Sequence, residues 1–556
     1  MESAQHGSTR IATPILIIGG GPVGMVLAMN LDALGLRSLI VNGDPRPRWH
    51  PKGSTHNART MEHYRRLGIV DAIRRLGLPG DYPTDVGYFT RFIGWELARI
   101  AMPSERVKVI AARNAVATDQ VPEPIFRCNQ MYVERFLYQH LRSLANVDVR
   151  FGWHCVDWHD HGDHVKALIE ERDSGRRVEV RCAYLIGCDG GQSATRRKLG
   201  IRYSGEGPGN SAAYLDGPMV ATHLRVPDFY AAVKVPRCWQ YRAYNREVHS
   251  NTVALDGLGE FIFNSRLKTA EEQPDTARIV RAFLASVGAD LEVEVIGHST
   301  WVAGRALVAD KYGAGRVLLA GDSVHLFTPA GGFGMNTGID DVANLGWKLA
   351  AVVQGWGGHG LLESYEAERR PIALRNTAAA RRLGVGVSGT PVDAAIEEDS
   401  SAGAAARRKA GAYLSNFAPE FDSLGVQLGA HYRHSPVILS DGTVPPSDDP
   451  DRYVPSACPG GRAPHLWLSN GASLFDHFGP GFTFLCLREG QEDARIIASA
   501  AAKRGVPLKA IELRMREARD LYERDLVLIR PDQHVAWRGN HLPENCDALI
   551  ARLTGW

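Results

Sequence analysis

Three glycines pose the first chemical question. In PILIIGGGPVGMVLAMNLDALGLRSLIVN, Gly19, Gly21 and Gly24 stand in a GxGxxG frame between an apolar strand and an amphipathic helix, and a second strand ends at Val41. Gly19 permits a tight turn, Gly21 lets backbone amides approach a pyrophosphate, and Gly24 lets helix and strand pack, while the positive helix start favours negative charge. A glycine turn without a ligand would use the same residues, but strand-then-helix is the context a dinucleotide fingerprint demands. The second strand of such units usually ends in a carboxylate for a ribose diol. Here that place, 23 residues after Gly19, is Asn42. An amide can bond two hydroxyls but not with the strength of an acid, so Asp44 could share the task, and Asn42 also reads as a strand-end turn residue.

Two further stretches set polar residues in a strand, loop and helix. LIGCDGGQSATRRKLGI carries Asp189, Gly190, Ser193 and Arg196; RVLLAGDSVHLFTPAGGFGMNTGIDDVANLGWKL carries Gly321, Asp322, His325, Pro329, Gly334, Met335 and Asn336. With the glycine turn, these resemble the three ordered signatures of the FAD-dependent aromatic hydroxylases, the group A flavoprotein monooxygenases built on the 4-hydroxybenzoate hydroxylase fold, over residues 14 to about 385. The resemblance implies FAD as cofactor, NADPH or NADH as electron donor, O2 as co-substrate, and no metal. In that cycle a C4a-hydroperoxide delivers its distal OH to an electron-rich carbon of a small aromatic substrate. It implies that Asp322 accepts hydrogen bonds from ribityl hydroxyls, and that amides around Gly334, Met335 and Asn336 stabilise charge on the reduced flavin.

Other positions follow from the same resemblance. Pro329 matches the loop beside the oxygen-reactive face, or simply stiffens it. His325 could act as a base, although a lone His there is more often a satisfied structural residue. Asp189 and Arg196 match a motif that touches FAD pyrophosphate and the nicotinamide donor; the alternative is an N-cap before a solvated RRK helix. Arg59 in NARTMEHYRRLGI and Gln130 in RCNQMYVERFL resemble residues holding the FAD diphosphate and ribityl region, with a surface ion pair and a helix-start cap as their plain alternatives.

The substrate side departs from the simple-phenol pattern. Relatives acting on simple phenols can carry a His and an Asp near the substrate hydroxyl in the segments that here read PKGSTHNART and FRCNQ; this chain has Ser54 and Arg127 there, with His56 nearby. A small neutral phenol is therefore in doubt. Arg127 suits an anionic, carboxylated or polycyclic aromatic, and equally suits FAD. Alternation predicts that Trp239, Tyr241, Phe261 and Phe263 share one face of a middle sheet and stack on an aromatic guest, unless they are ordinary core residues. A Baeyer-Villiger oxygenase on the same fold and a non-catalytic FAD-binding protein stay open, while a flavin halogenase is weakened because Trp153 and Trp158 do not form its WxWxIP pattern.

These residues must be held by a large α/β chain. At roughly 100 to 200 residues per domain, 556 residues allow several cores. Lys plus Arg 64 against Asp plus Glu 62 leaves a charge of +2 and no excess field for nucleic acid or an anionic membrane. The uncharged run from Ile11 to Met29 contains Pro14, Gly19, Gly20, Gly21, Pro22 and Gly24, which break a spanning helix. The eight cysteines form no CxxC pair, consistent with reduced thiols in a cytoplasmic protein. The expected organisation is a discontinuous Rossmann-like FAD-binding domain (12–202 and 301–385), an inserted mixed-sheet substrate region (76–125 and 203–300), a helical connector (386–440), and a C-terminal domain (441–556). In that last part PGGRAPHLWL, SLFDHFGPGFTFLCL and LVLIRPDQHVAWRG resemble the thioredoxin-like extension of the phenol hydroxylase branch, without its implying redox chemistry. A homodimer is compatible with that extension.

Overall fold

The computed structural model describes residues 10–115, 121–207, 217–269, 272–388 and 392–556. The first strand starts at Arg10, two residues before the expected start of the FAD-binding domain. That strand, Arg10–Ile18, pairs in parallel with Ser38–Asn42 on one side and Arg177–Gly187 on the other, and Val147–Phe151 and Val317–Leu319 extend the parallel set. Both faces are buried, as parallel sheets require. Ile15, Ile17 and Ile40 point under the Pro22–Ala33 and Phe333–Val353 helices, and Leu16, Leu39 and Val41 point under the Trp153–Asp160 and Val165–Glu171 hairpin. The Pro22–Ala33 helix begins at Gly21 with Pro22 in its first turn and no side-chain cap, so its first amides stay open to a ligand.

The second sheet has seven strands in the order Glu294–Ala303, Gly217–Arg225, Glu260–Arg266, His249–Ala254, Gln240–Tyr244, Val86–Phe89, Glu96–Ile100. One pairing, Gln240–Tyr244 with Val86–Phe89, is parallel; the others are antiparallel. The C-terminal sheet runs Leu508–Glu512, Phe482–Cys486, Leu526–Ile529, Val535–Gly539, the first pair parallel around the Gln491–Lys503 helix and the rest antiparallel. This is a thioredoxin-like arrangement without a CxxC. Cys458 and Cys486 are buried and unpaired, and burial raises both thiols above their ordinary value.

The C-terminal layer is joined to the first through buried charges. Arg530 donates to Glu368 at 2.6 and 2.9 Å, and Lys348 donates to the same carboxylate at 2.6 Å. Arg462 reaches Glu62 at 2.9 Å, and Arg59 bridges Glu62 and the Gln533 side chain, both at 2.9 Å. Burial alone would raise Glu368; Arg530 and Lys348 hold it well below the usual carboxylate range.

Arg530→Met should leave Glu368 short of a partner and cost about 3–5 kcal/mol in denaturant unfolding; a loss below about 1 kcal/mol, the level of an exposed pair, would contradict this account of the junction. The pH dependence has a definite sign. Burial pulls fully buried His56 and His63 down to about 4 from 6.5, with Arg59 adding to the effect at His63. The unfolded chain therefore takes up protons that the folded chain refuses. Their contribution is complete above about pH 6.5 and is lost as the pH falls toward about 4. Thermal midpoints should drop between about pH 7 and pH 5; a flat profile would oppose this assignment.

Candidate functional site

Two cavities meet at one wall. The first, of ≈ 780 Å³, runs from Gly21, Pro22 and Val23 past Gln130 and Asp322 to Gly334 and Met335. Its glycines divide their labour. A Cβ on Gly19 would stand 2.2 Å from the Cys188 carbonyl oxygen and one on Gly24 2.1 Å from that of Gly19, whereas one on Gly21 would meet nothing within 4 Å. Gly19 and Gly24 thus serve packing, whereas the space at Gly21 would admit a group such as a pyrophosphate close to the backbone. Asn42 does not line this cleft: its Oδ1 accepts from the Gly20 amide at 3.1 Å and its Nδ2 donates to the Asp44 carbonyl at 3.2 Å, which braces the glycine turn. Asp322 lines this cleft, and desolvation raises its pKa while His325 and Lys52 partly oppose this.

The second cavity, of ≈ 430 Å³, lies between the second sheet and the connector. Ser54, Arg127, Trp239 and Pro329 line it as candidates from the sequence, and Lys52, Gly53, Thr55, Trp301, Pro329 and Gly332 line both cavities. Asn336 fixes this shared wall. Its Oδ1 accepts from the Asn57 amide at 2.9 Å, and its Nδ2 donates to the carbonyls of Thr55 at 2.9 Å and Gly332 at 2.6 Å. Gly331 and Gly332 both have positive φ, 76° and 66°, so the chain turns sharply into the Phe333–Val353 helix and aims its first amides, around Gly334 and Met335, into the first cavity. Gln130 meets the wall through its backbone, whose amide donates to the Gly53 carbonyl at 2.8 Å, while its side chain donates to Glu134.

Several expectations are corrected. Tyr241, Phe261 and Phe263 turn away from the cavity into the aromatic core with Phe89, Phe229 and Phe283, and their neighbours Gln240, Arg242, Ile262 and Asn264 face it instead. Within the strands the alternation holds but the face is inverted, while Trp239, just ahead of Gln240–Tyr244, stays at the cavity. His325 is no free base: it is fully buried and bonds Asp341 at 2.7 Å, which in turn accepts from Arg369 at 2.9 Å. Arg59 is neither at a diphosphate nor at the surface, since Glu62, Gln533 and the Asp532 carbonyl occupy it. The Asp189 carboxylate is spent on its own helix start, accepting from the Thr195 amide and hydroxyl at 3.0 Å each and from Ser193, while its neighbours Cys188, Gly190, Gly191 and Gln192 line the cleft. Arg196 is buried over the Tyr203 ring at 3.8 Å.

Sequence reasoning missed the Arg242–Glu420 pair, with contacts of 2.9 and 3.1 Å. Arg242 was visible as a polar residue alternating with Gln240; Glu420 comes from the connector, 178 positions away, and carried no local signal. Burial opposes the charge of Arg242, but Glu420 raises its pKa above the ordinary value.

Residues 12–380 match the family described as FAD binding domain, and residues 456–556 match that described as aromatic-ring hydroxylase, C-terminal. The FAD-dependent monooxygenase apdD of Emericella nidulans is 32% identical over 98% of this chain and 90% of its own length. The 4-methyl-5-nitrocatechol 5-monooxygenase of a Burkholderia species is 30% identical over 97% of this chain and 96% of its own. Among solved structures, the rebeccamycin biosynthetic enzyme RebC with reduced flavin superposes with a TM-score of 0.88 at 33% identity, covering 98% of this chain and 99% of that one.

A Cβ at Gly332 would lie 2.8 Å from the Thr55 Cβ on a backbone with φ of +66°. Gly332→Ala should therefore displace the shared wall at a cost of about 1–3 kcal/mol and lower flavin retention. Gly80→Ala, with nothing within 4 Å, is the matched control. Equal flavin content and equal melting points in the two variants would refute the role assigned to this wall.

Proposed function

Because the chain belongs to the group A FAD-dependent aromatic hydroxylases, we propose that it hydroxylates a phenolic aromatic substrate with O2, taking electrons from NADH or NADPH. The chain is an FAD-dependent monooxygenase, and the finer terms of this reading rest on its site. The observation that supports them is the wall shared by the two cavities, on whose two sides a cofactor and an aromatic guest would meet. Bound FAD supplies the redox chemistry: it accepts two electrons and activates dioxygen for transfer of one oxygen atom to the ring.

The chain's own residues bind, orient and enclose. The open amides after Gly21 suit the diphosphate, Asp322 suits the ribityl hydroxyls, and the helix start at Gly334 and Met335 suits negative charge on the flavin ring. Pro329 and Gly332 hold the wall at which oxygen transfer occurs, while Ser54, Arg127 and Trp239 orient the guest. Trp239, Trp301, Tyr244 and Phe421 give the guest apolar surface and keep water from the reacting carbon. The reading includes the division into a discontinuous FAD-binding domain, an inserted substrate sheet, a connector and a thioredoxin-like domain, with a cytoplasmic location and a homodimer as the working assembly.

Asp322→Ala should reduce retained FAD about tenfold or more, as loss of a bond from a charged group predicts. In the unaltered protein NADH or NADPH should bleach bound flavin in a stopped-flow trace, faster with a matching aromatic present, and mass spectrometry should show the product heavier by one oxygen atom. Absence of bleaching with either donor would sink this reading.

A further inference from the structure

The floor of the ≈ 430 Å³ cavity carries a row of side chains that runs straight across five strands. Arg242 stands directly opposite Asn251, Asn251 opposite Asn264, Asn264 opposite Ala221, and Ala221 opposite Ser299. All five line the cavity. Residues paired across strands share a face, so at a strand spacing of about 4.8 Å the row extends about 19 Å over the sheet. Beside it Val253 stands opposite Ile262, and these two line the cavity as an apolar strip. A flat guest can rest its rings on Val253 and Ile262 while one edge lies along the polar row.

The polar row is unequally committed. Arg242 spends all three nitrogens within the protein: Nε donates to the Gln240 side chain at 3.0 Å, and Nη1 and Nη2 donate to Glu420 at 3.1 and 2.9 Å. Both partners of this ion pair are buried, so the cation of the row is already neutralised. Asn251 differs. Its Oδ1 is buried and accepts from no group among the described residues, and the guanidinium directly opposite is held by Gln240 and Glu420. Buried polar atoms are nearly always partnered, and an acceptor left without a donor is costly.

We propose that Asn251 determines specificity by accepting, through Oδ1, a hydrogen bond from an uncharged O–H or N–H on the edge of the aromatic guest that faces the sheet. This rests on the site reading above and adds a substituent that the guest must carry. A guest without the donor leaves the acceptor buried and unpaired, which discriminates more strongly than the bond itself attracts. A carboxylate at the same place has no proton to give, and Arg242, committed to Glu420, does not compensate its charge. By fixing which edge lies on the sheet, the bond also fixes which ring carbon is turned toward the shared wall.

The test titrates the oxidised FAD holoenzyme, without electron donor, with three colourless naphthalenes that carry methyl, hydroxymethyl or carboxylate at the same ring position. Binding is read from the shift of the flavin absorption band. The quantity compared is the affinity for the hydroxymethyl compound relative to that for the methyl compound. Asn251→Leu, similar in shape and lacking the acceptor, should lower that ratio about fivefold and leave the carboxylate-to-methyl ratio within about twofold of its starting value. Asn251→Val, whose branched side chain suits a strand, repeats the measurement if the leucine variant does not fold. An unchanged hydroxymethyl-to-methyl ratio, or an equal fall in the carboxylate ratio, would overturn the proposal. Failure of the site reading looks different. Calorimetry would then show the methyl compound binding without moving the flavin band, or not binding at all, and the cavity would not seat an aromatic ring beside the flavin.

Discussion

The site depends on one amide side chain. Asn336 offers a single oxygen and a single nitrogen, and both are used to tie the segment at Thr55 and Asn57 to the first turn of the Phe333–Val353 helix. Asn336 is buried, so breaking these bonds would leave polar groups without water or partner. The consequence is geometric: a helix start that suits a flavin ring and a loop that suits an aromatic guest are held as opposite faces of one wall. Gly332 makes the approach feasible, because any side chain there would strike Thr55.

Behind the wall, the thioredoxin-like layer supports the same segment from the far side. The Ala58–Arg66 helix follows directly on Asn57; its first amide donates to the Gln427 side chain at 3.0 Å, and its Arg59 and Glu62 are locked to Gln533 and Arg462. The turn that carries Gln533 has a positive φ of 63°, a conformation held here by burial and by bonds on both sides. The C-terminal layer thus connects to the site through packing and charge, and its cysteines form no CxxC.

Much of the fold was legible because its signals are local. The glycine turn, the strand FTFLCL and the helix RIIASAAAKRG are each specified by a few neighbouring residues, and they correspond to Gly21, to Phe482–Cys486 and to Gln491–Lys503. The lining of the first cavity by Gly21, Gly334 and Met335 was legible from local pattern. It was misread where a side chain had a choice of partner. His325, Asp189 and Arg59 each carry a polar group that another buried residue satisfies, and spacing does not reveal which. The middle sheet shows the same limit: period two identifies two faces but does not say which one borders a cavity, and here the polar set Gln240, Arg242 and Asn264 borders it. Glu420 and Phe421 come to the cavity from the connector, a tertiary arrangement with no local trace.

The central claim is that cofactor and aromatic guest face each other across the wall of Thr55, Pro329 and Gly332. A crystal structure of the FAD holoenzyme soaked with an aromatic ligand tests it directly. The account requires the flavin ring against Gly334 and Met335 and the ligand ring beside it, within contact range near Thr55. A ligand seated elsewhere, or a flavin separated from it by intact protein, would contradict the account.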